Sequence, residues 1–175
     1  IGNIYRELEQ LREALTYYER NLECAEVLYE KNGSEQRLYE LSVCYNNMGR
    51  TCRELGQLRE ALTYYEKDLK CAEVLYEKNG SEESLCDLSV SYNKMGRVYE
   101  DLGQLKEALV YYEKDLKCAE NLYEKNGNEE NLRDLAITYS SIASILCDLD
   151  RYEEALLYYE NSMRGREMLY RLSAD

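Results

Sequence analysis

Between Ser81 and Leu102 the apolar side chains Leu85, Leu88, Tyr92, Met95, Tyr99 and Leu102 recur at alternating intervals of three and four. That spacing lays them along one stripe of a helix, A, with one face on a core. The stripe returns one period earlier as Leu38, Leu41, Tyr45, Met48, Cys52 and Leu55, and one period later as Leu132, Leu135, Tyr139, Ile142, Leu146 and Leu149. A short break follows, Leu55-Gly56-Gln57 or Leu102-Gly103-Gln104, where glycine supplies the left-handed backbone that ends a helix. Leu105, Ala108, Leu109, Tyr112, Leu116, Ala119 and Leu122 then mark a second helix, B. Each period therefore predicts a two-helix hairpin.

The stretch from Gly56 to Gly80 reappears from Gly103 to Gly127 with three of 25 positions changed, a period of 47 residues. Weaker copies precede and follow it. Self-similarity on that scale marks a solenoid, in which each unit buries its apolar face against its neighbours. Residues 1–175 read as a single solenoid with repeat units at 9–55, 56–102 and 103–149 and a last helix B over 150–175. Gly2, Tyr5 and Leu8 align with Gly49, Cys52 and Leu55, so residues 1–8 are expected to be the end of a truncated helix A. The last helix B carries Ala155, Leu156, Tyr159, Met163, Leu169 and Tyr170 and has no polar helix after it. Solenoids need polar caps for solubility. The expectation is a piece of a longer array, or ends covered by a partner or by another copy of the chain.

Local signals agree with this division. Lys125-Asn126-Gly127 suits the negative end of a helix and its exit turn, and Ser34, Ser81 and Asn128 stand as N-caps of the next helix A. Glu35, Glu82-Glu83 and Glu129-Glu130 then fall in first turns, where they balance the helix dipole, a structural use in place of a catalytic one.

The net charge of −13 argues against a nucleic-acid partner, which would need counterion release by Lys and Arg. The chain has no histidine, proline, tryptophan or phenylalanine, so histidine catalysis and ligation are excluded. No apolar run approaches the roughly 20 residues that cross a bilayer. No charged, then apolar, then small-residue leader is present, and a cytoplasmic location is expected. Seven cysteines scattered through helical patterns make a poor disulfide framework. Cys24, Cys71 and Cys118 recur on the apolar side of helix B and read as small hydrophobes. Cys44 and Cys52 share a helix face but stand about 12 Å apart, too far for one zinc. No metal, cofactor or catalytic residue is assigned.

Tyr92, Met95-Gly96, Tyr99, Gly103, Ala108 and Tyr112 together resemble the tetratricopeptide repeat. Unit two repeats the pattern in Tyr45, Met48-Gly49, Gly56, Ala61 and Tyr65, with Cys52 in place of a tyrosine. Unit four is looser, with Tyr139, Ile142-Ala143, Leu146, Asp150, Ala155 and Tyr159. The resemblance implies an all-α, right-handed α-solenoid of antiparallel helix pairs, about seven helices plus the N-terminal partial one. Two departures stand out. The usual repeat is about 34 residues long, and Asp115 stands near a family alanine while the closing proline is missing. Extended repeats of this kind look similar to those of spindle-orientation adaptors, kinesin light chains and bacterial peptide-sensing proteins.

In that family helix A lines a concave face. Carried over position by position, the resemblance points to Asn3, Arg6 and Glu7, then Val43, Asn46, Asn47, Arg50, Arg53 and Glu54. In the next unit it points to Val90, Asn93, Lys94, Arg97, Glu100 and Asp101, and after that to Ile137, Ser140, Ser144, Cys147 and Asp148. The pairs Asn46/Arg50 and Asn93/Arg97 are the strongest features, because a four-residue spacing puts both side chains on one helix face. Asparagine can donate to and accept from a peptide backbone, and arginine offers a planar fork to a carboxylate. The alternative is a solvated face on which Glu54 and Asp101 balance the arginines. Asn3, Asn47 and Lys94 also match places in a carboxylate clamp of chaperone-binding members, but Val90 stands where that clamp has a lysine. In the pairs Tyr17-Tyr18, Tyr64-Tyr65, Tyr111-Tyr112 and Tyr158-Tyr159, the second tyrosine is expected in the inter-helix core and the first half exposed.

The resemblance thus implies a non-enzymatic protein-interaction scaffold that binds an extended or helical peptide, rich in acidic groups, in the concave groove. No membrane partner is expected, and self-association through the solenoid ends is open. The alternative is a sensor or regulatory arm of a larger multidomain enzyme or signalling protein.

Overall fold

The structure is a computed structural model that describes residues 1–172. Its described residues form eight helices: α1 (Gly2–Glu7), α2 (Leu11–Asn32), α3 (Glu35–Glu54), α4 (Leu58–Asn79), α5 (Glu82–Asp101), α6 (Leu105–Asn126), α7 (Glu129–Asp148) and α8 (Tyr152–Leu172). The short α1 and the helices α3, α5 and α7 are the A helices read from the sequence. The B helices are α2, α4, α6 and α8.

The helix ends follow from their capping chemistry. The Ser34, Ser81 and Asn128 side chains accept from the backbone N–H groups of Arg37, Ser84 and Asn131 at 3.3, 3.1 and 2.8 Å. Gly33, Gly80 and Gly127 close α2, α4 and α6 in the left-handed region, with φ between 54° and 56°. The A-to-B turn uses the same backbone region at Gly56 and Gly103, and at Glu9 and Asp150 without a glycine.

Two compact units are present, one from Ile1 to Ser84 and one from Leu85 onward. In the first, α2 packs on both α1 and α3, and α3 packs on α4. Its core joins Ala14, Tyr18 and Leu22 to Leu38, Leu41, Tyr45 and Met48, with Cys71 and Leu75 from α4. In the second, α7 packs on both α6 and α8 around Tyr112, Leu116, Ile142, Ile145, Leu146 and Ala155.

Three expectations are corrected here. The A helices bury more than one stripe: Cys44 and Thr51 in α3, Val98 in α5, and Thr138 and Ile145 in α7 are buried outside the stripes read from spacing. α3 packs on both α2 and α4, and α7 on both α6 and α8, so each needs a wider apolar arc than a one-sided helix. Cys24 is exposed, while Cys71 and Cys118 are buried; the A helix packed on α2 from its N-terminal side is the six-residue α1, which covers less of α2 than the full-length α3 covers of α4. In α8 the apolar list is largely on the surface, with Leu156, Met163 and Tyr170 exposed and Tyr170 at 77 %. No described helix covers that face. Tyr18, Tyr65 and Tyr112 are in the core as expected, but Tyr159 is exposed.

Candidate interaction face

In the first unit Arg6 from α1 and Arg50 from α3 converge on one open hollow of about 700 Å³, lined also by Glu7, Glu9, Leu11 and Glu54. The short α1 brings Arg6 there because it packs on α2, which also packs on α3. Arg50 is half-buried, and its Nη2 donates to the Asn47 side-chain oxygen at 3.2 Å. Its Nε is buried and has no hydrogen-bond partner. A guanidinium N–H withdrawn from water without an acceptor is costly, whereas the rest of this half-buried group borders the hollow on which Arg6 also lies. Glu7 and Glu54 lie on the same hollow, and Glu7 is already 3.1 Å from the Arg6 guanidinium.

The other residues expected in this unit lie outside the hollow. Asn3 is exposed and its side-chain oxygen accepts from the Tyr18 hydroxyl at 2.5 Å. Val43 is exposed, Asn46, Asn47 and Arg53 are half-buried, and the recorded partner of Arg50 is Asn47 three residues back, not Asn46.

In the second unit Val90, Arg97 and Glu100 are exposed on α5, with Asn93 and Lys94 half-buried between them. Glu100 accepts from the Tyr112 hydroxyl at 2.7 Å. Asn93 turns inward, its Nδ2 donating to Asp115 Oδ2 at 2.9 Å. That leaves its carbonyl oxygen and one N–H for other partners. On α7, Ile137 and Asp148 are exposed and Ser140, Ser144 and Cys147 half-buried.

Asp115 is 3 % exposed, and the Ser89 hydroxyl and the Thr138 hydroxyl, the latter at 3.1 Å, donate to the same carboxylate as Asn93. Burial pushes the Asp115 carboxyl up from its ordinary value, against the opposing effect of these three donors. The first unit repeats the motif, with Ser42 donating to the buried Asp68 at 2.5 Å. Sequence reasoning did not place these carboxylates behind the face. The signal was a charged residue at a position where the repeat pattern asks for a small one.

Among the described residues no group of three or more His, Cys, Asp or Glu side chains could hold a metal ion, and no helix is long and apolar enough to cross a membrane.

Tetratricopeptide-repeat family models match residues 1–73 and, in a second model, residues 88–129 and 135–170. The chain belongs to the tetratricopeptide repeat family. No curated protein matches it in sequence. Among solved structures it is similar to BtubC (BKLC) from P. vanneervenii, at 20 % identity and a TM-score of 0.78, over 97 % of this chain and 61 % of that one. It is similar to the apo form of RapI at 16 % identity and a TM-score of 0.73, over 96 % of this chain and 54 % of that one. A Rap protein complexed with Competence and Sporulation Factor matches at 18 % identity and a TM-score of 0.69, over 97 % of this chain and 42 % of that one. The chain thus spans less than two thirds of each of these structures. These likenesses fix the fold as an all-α, tetratricopeptide-repeat-like solenoid, and the repeats make it a protein-interaction scaffold.

Proposed function

We propose that this tetratricopeptide-repeat scaffold takes an extended or helical segment of a partner protein against its A-helix faces and selects acidic side chains in that segment. The observation that carries the reading is the hollow where Arg6 and Arg50 meet. A carboxylate entering the hollow would meet the solvent-facing parts of the Arg6 and Arg50 guanidinium groups, and arginine binds carboxylates in a planar, two-bonded geometry. In the first unit Val43 offers an exposed apolar contact and Asn47 a polar one; in the second, taken by itself, Val90 and Ile137 offer exposed apolar contacts and Asn93, Ser140 and Ser144 polar ones. Arg53, Lys94, Arg97 and Glu100 set the charge pattern of the face, and its module has no catalytic part to play.

A second reading, a regulatory arm of a larger protein, is favoured by one observation: the chain spans only 54 % of RapI and 42 % of the Rap protein whose structure holds Competence and Sporulation Factor. It uses the same face, so one experiment addresses both. An array of synthetic twelve-residue peptides, scanned with Asp or Glu against Asn or Gln, is probed with the wild-type chain and with the Arg6→Glu/Arg50→Glu double variant. The expected result is selective retention of acidic peptides by the wild type, lost in the variant at unchanged helicity and melting. Equal retention of acidic and neutral peptides, or an unaffected variant, would sink the reading.

A further inference from the structure

Successive repeats carry Arg20, Lys67, Lys114 and Asn161 at one helix-B position. In the middle two, the side chain folds over tyrosine rings. Lys67 Nζ lies 5.1 Å from the Tyr45 centroid and 6.0 Å from that of Tyr64. Lys114 Nζ lies 5.4 Å from Tyr92 and 5.1 Å from Tyr111. An ammonium in such a place is attracted by the negative faces of the rings, more strongly where water is excluded.

The last repeat keeps the receiving half of this arrangement. Tyr139 and Tyr158 are paired at 6.1 Å and 50°, close to the 6.4 Å and 40° of Tyr92 and Tyr111. The Tyr139 hydroxyl donates to Glu120 at 3.0 Å, as the Tyr45 hydroxyl donates to Glu26 at 3.0 Å. What changes is the cation, since Asn161 is too short to reach over the rings. Gly165 likewise replaces the cysteine that Cys24, Cys71 and Cys118 supply in the earlier repeats. These two shortened side chains line a cavity of about 220 Å³ between α6, α7 and α8, whose walls include Tyr123, Leu135, Ala136 and Tyr139. Tyr123 and Met168 close one side, the hydroxyl donating to the sulfur at 3.8 Å.

We propose that this cavity receives a lysine side chain of a partner polypeptide, its ammonium taking the place over Tyr139 and Tyr158 that Lys67 and Lys114 fill in the preceding repeats. Leu135 and Ala136 cover the aliphatic stem, as apolar surface does for lysine stems elsewhere. The Glu120 carboxylate beside the Tyr139 hydroxyl favours a cation over an anion at this place. Arg164 on the rim does not exclude it. Lys70 and Lys117 hold the same position in the earlier repeats, beside lysines that do lie over their rings, and Arg164 itself sits 3.9 Å from the Glu160 carboxylate. The cavity shares no residue with the A-helix face described above, so this site stands or falls separately.

The test is an NMR titration of the whole chain, labelled at its tyrosine rings, with N-acetyl-lysine-N′-methylamide and with the neutral norleucine counterpart. The expected result is saturable shifts of the Tyr139 and Tyr158 signals with the lysine probe alone. Asn161→Lys, which supplies its own ammonium, weakens the effect at least tenfold, and Glu120→Gln, which keeps an acceptor for Tyr139, weakens it at least threefold. An absent or non-saturating shift, an equal response to norleucine, or undiminished binding in both folded variants would overturn the proposal.

Discussion

The Cα of Gly96 faces the ring of Tyr112 so closely that a Cβ added there would lie 2.8 Å from both Cδ1 and Cε1. Gly49 stands in the same relation to Tyr65, and Gly2 to Tyr18. In the last repeat Ala143 takes the glycine's place, and its register partner Tyr159 is 39 % exposed. Tyr159 also lies on α8, whose outer face no described helix covers, so the crowding expected of a Cβ rests on the Gly96–Tyr112 distance. Gly96→Ala is therefore expected to destabilise the chain by about 1–3 kcal/mol through overpacking, although alanine favours a helix by about 1 kcal/mol. Urea unfolding followed by circular dichroism measures the loss. A more stable Gly96→Ala variant would show that the ring yields at no cost.

The A-to-B turn demands a left-handed residue in every repeat, and only Gly56 and Gly103 meet that demand without strain. Glu9 at φ 58° and Asp150 at φ 59° adopt it with side chains in place. That conformation costs a residue with a Cβ roughly 1–2 kcal/mol, partly offset in a substitution by the greater freedom of glycine in the unfolded chain. Glu9→Gly is expected to stabilise by about 0.5–1 kcal/mol, and Asp150→Gly by less because aspartate tolerates the region better. Gly103→Ala is expected to cost about 1 kcal/mol. The three variants compared in one unfolding series check the order.

The thiols divide by burial. Burial pushes the Cys71 thiol up to about 12 and those of Cys52 and Cys118 to about 11, so at pH 8 only about one in a thousand of the latter two is thiolate. Cys24 is exposed. Cys86 is exposed too, but partial burial and the carboxylates of Asp87, Asp134 and Glu130 push its thiol up. Iodoacetamide at pH 8 is expected to alkylate Cys24 at least tenfold faster than Cys71 or Cys118, with Cys86 between them, as read by peptide mass spectrometry on the folded chain.

Spacing alone located every helix, because an A stripe such as Leu85, Leu88, Tyr92 and Met95 is a local pattern, and so are the caps at Ser34 and Gly33. It missed the second buried arc of Cys44, Thr51 and Thr138, because Cys44 accepts from Asn21 of α2 and Thr138 donates to Asp115 of α6, contacts between helices that spacing does not show, and the arc mixes polar with apolar residues. It listed Arg6 and Arg50 together only through the repeat register. That the two share a hollow depends on how α1 and α3 each pack on α2. The inward turn of Asn93 was not legible from α5 at all, because its cause is Asp115 on α6. The charge replaces a small family residue, and a small residue could not have held the amide.

Asp115 gives the chain a pH signature of known sign. Its folded-state value is raised, chiefly by burial, whereas in the unfolded chain it titrates near about 3.9. A raised value means that the protonated form is the one the fold prefers. Its stabilising effect is complete below about 3.9 and is lost as pH rises through the folded value. Asp115→Asn removes the titration while keeping the size of the side chain and one oxygen for Ser89, Asn93 and Thr138. Asp134 also has a raised carboxyl, chiefly from burial, but it remains in both proteins and cancels in the comparison. The stability of the wild type minus that of Asp115→Asn, measured by urea unfolding from pH 7 down to pH 4, is expected to increase as pH falls. A difference that decreases over that range would mean that the three donors, not burial, dominate at this carboxylate.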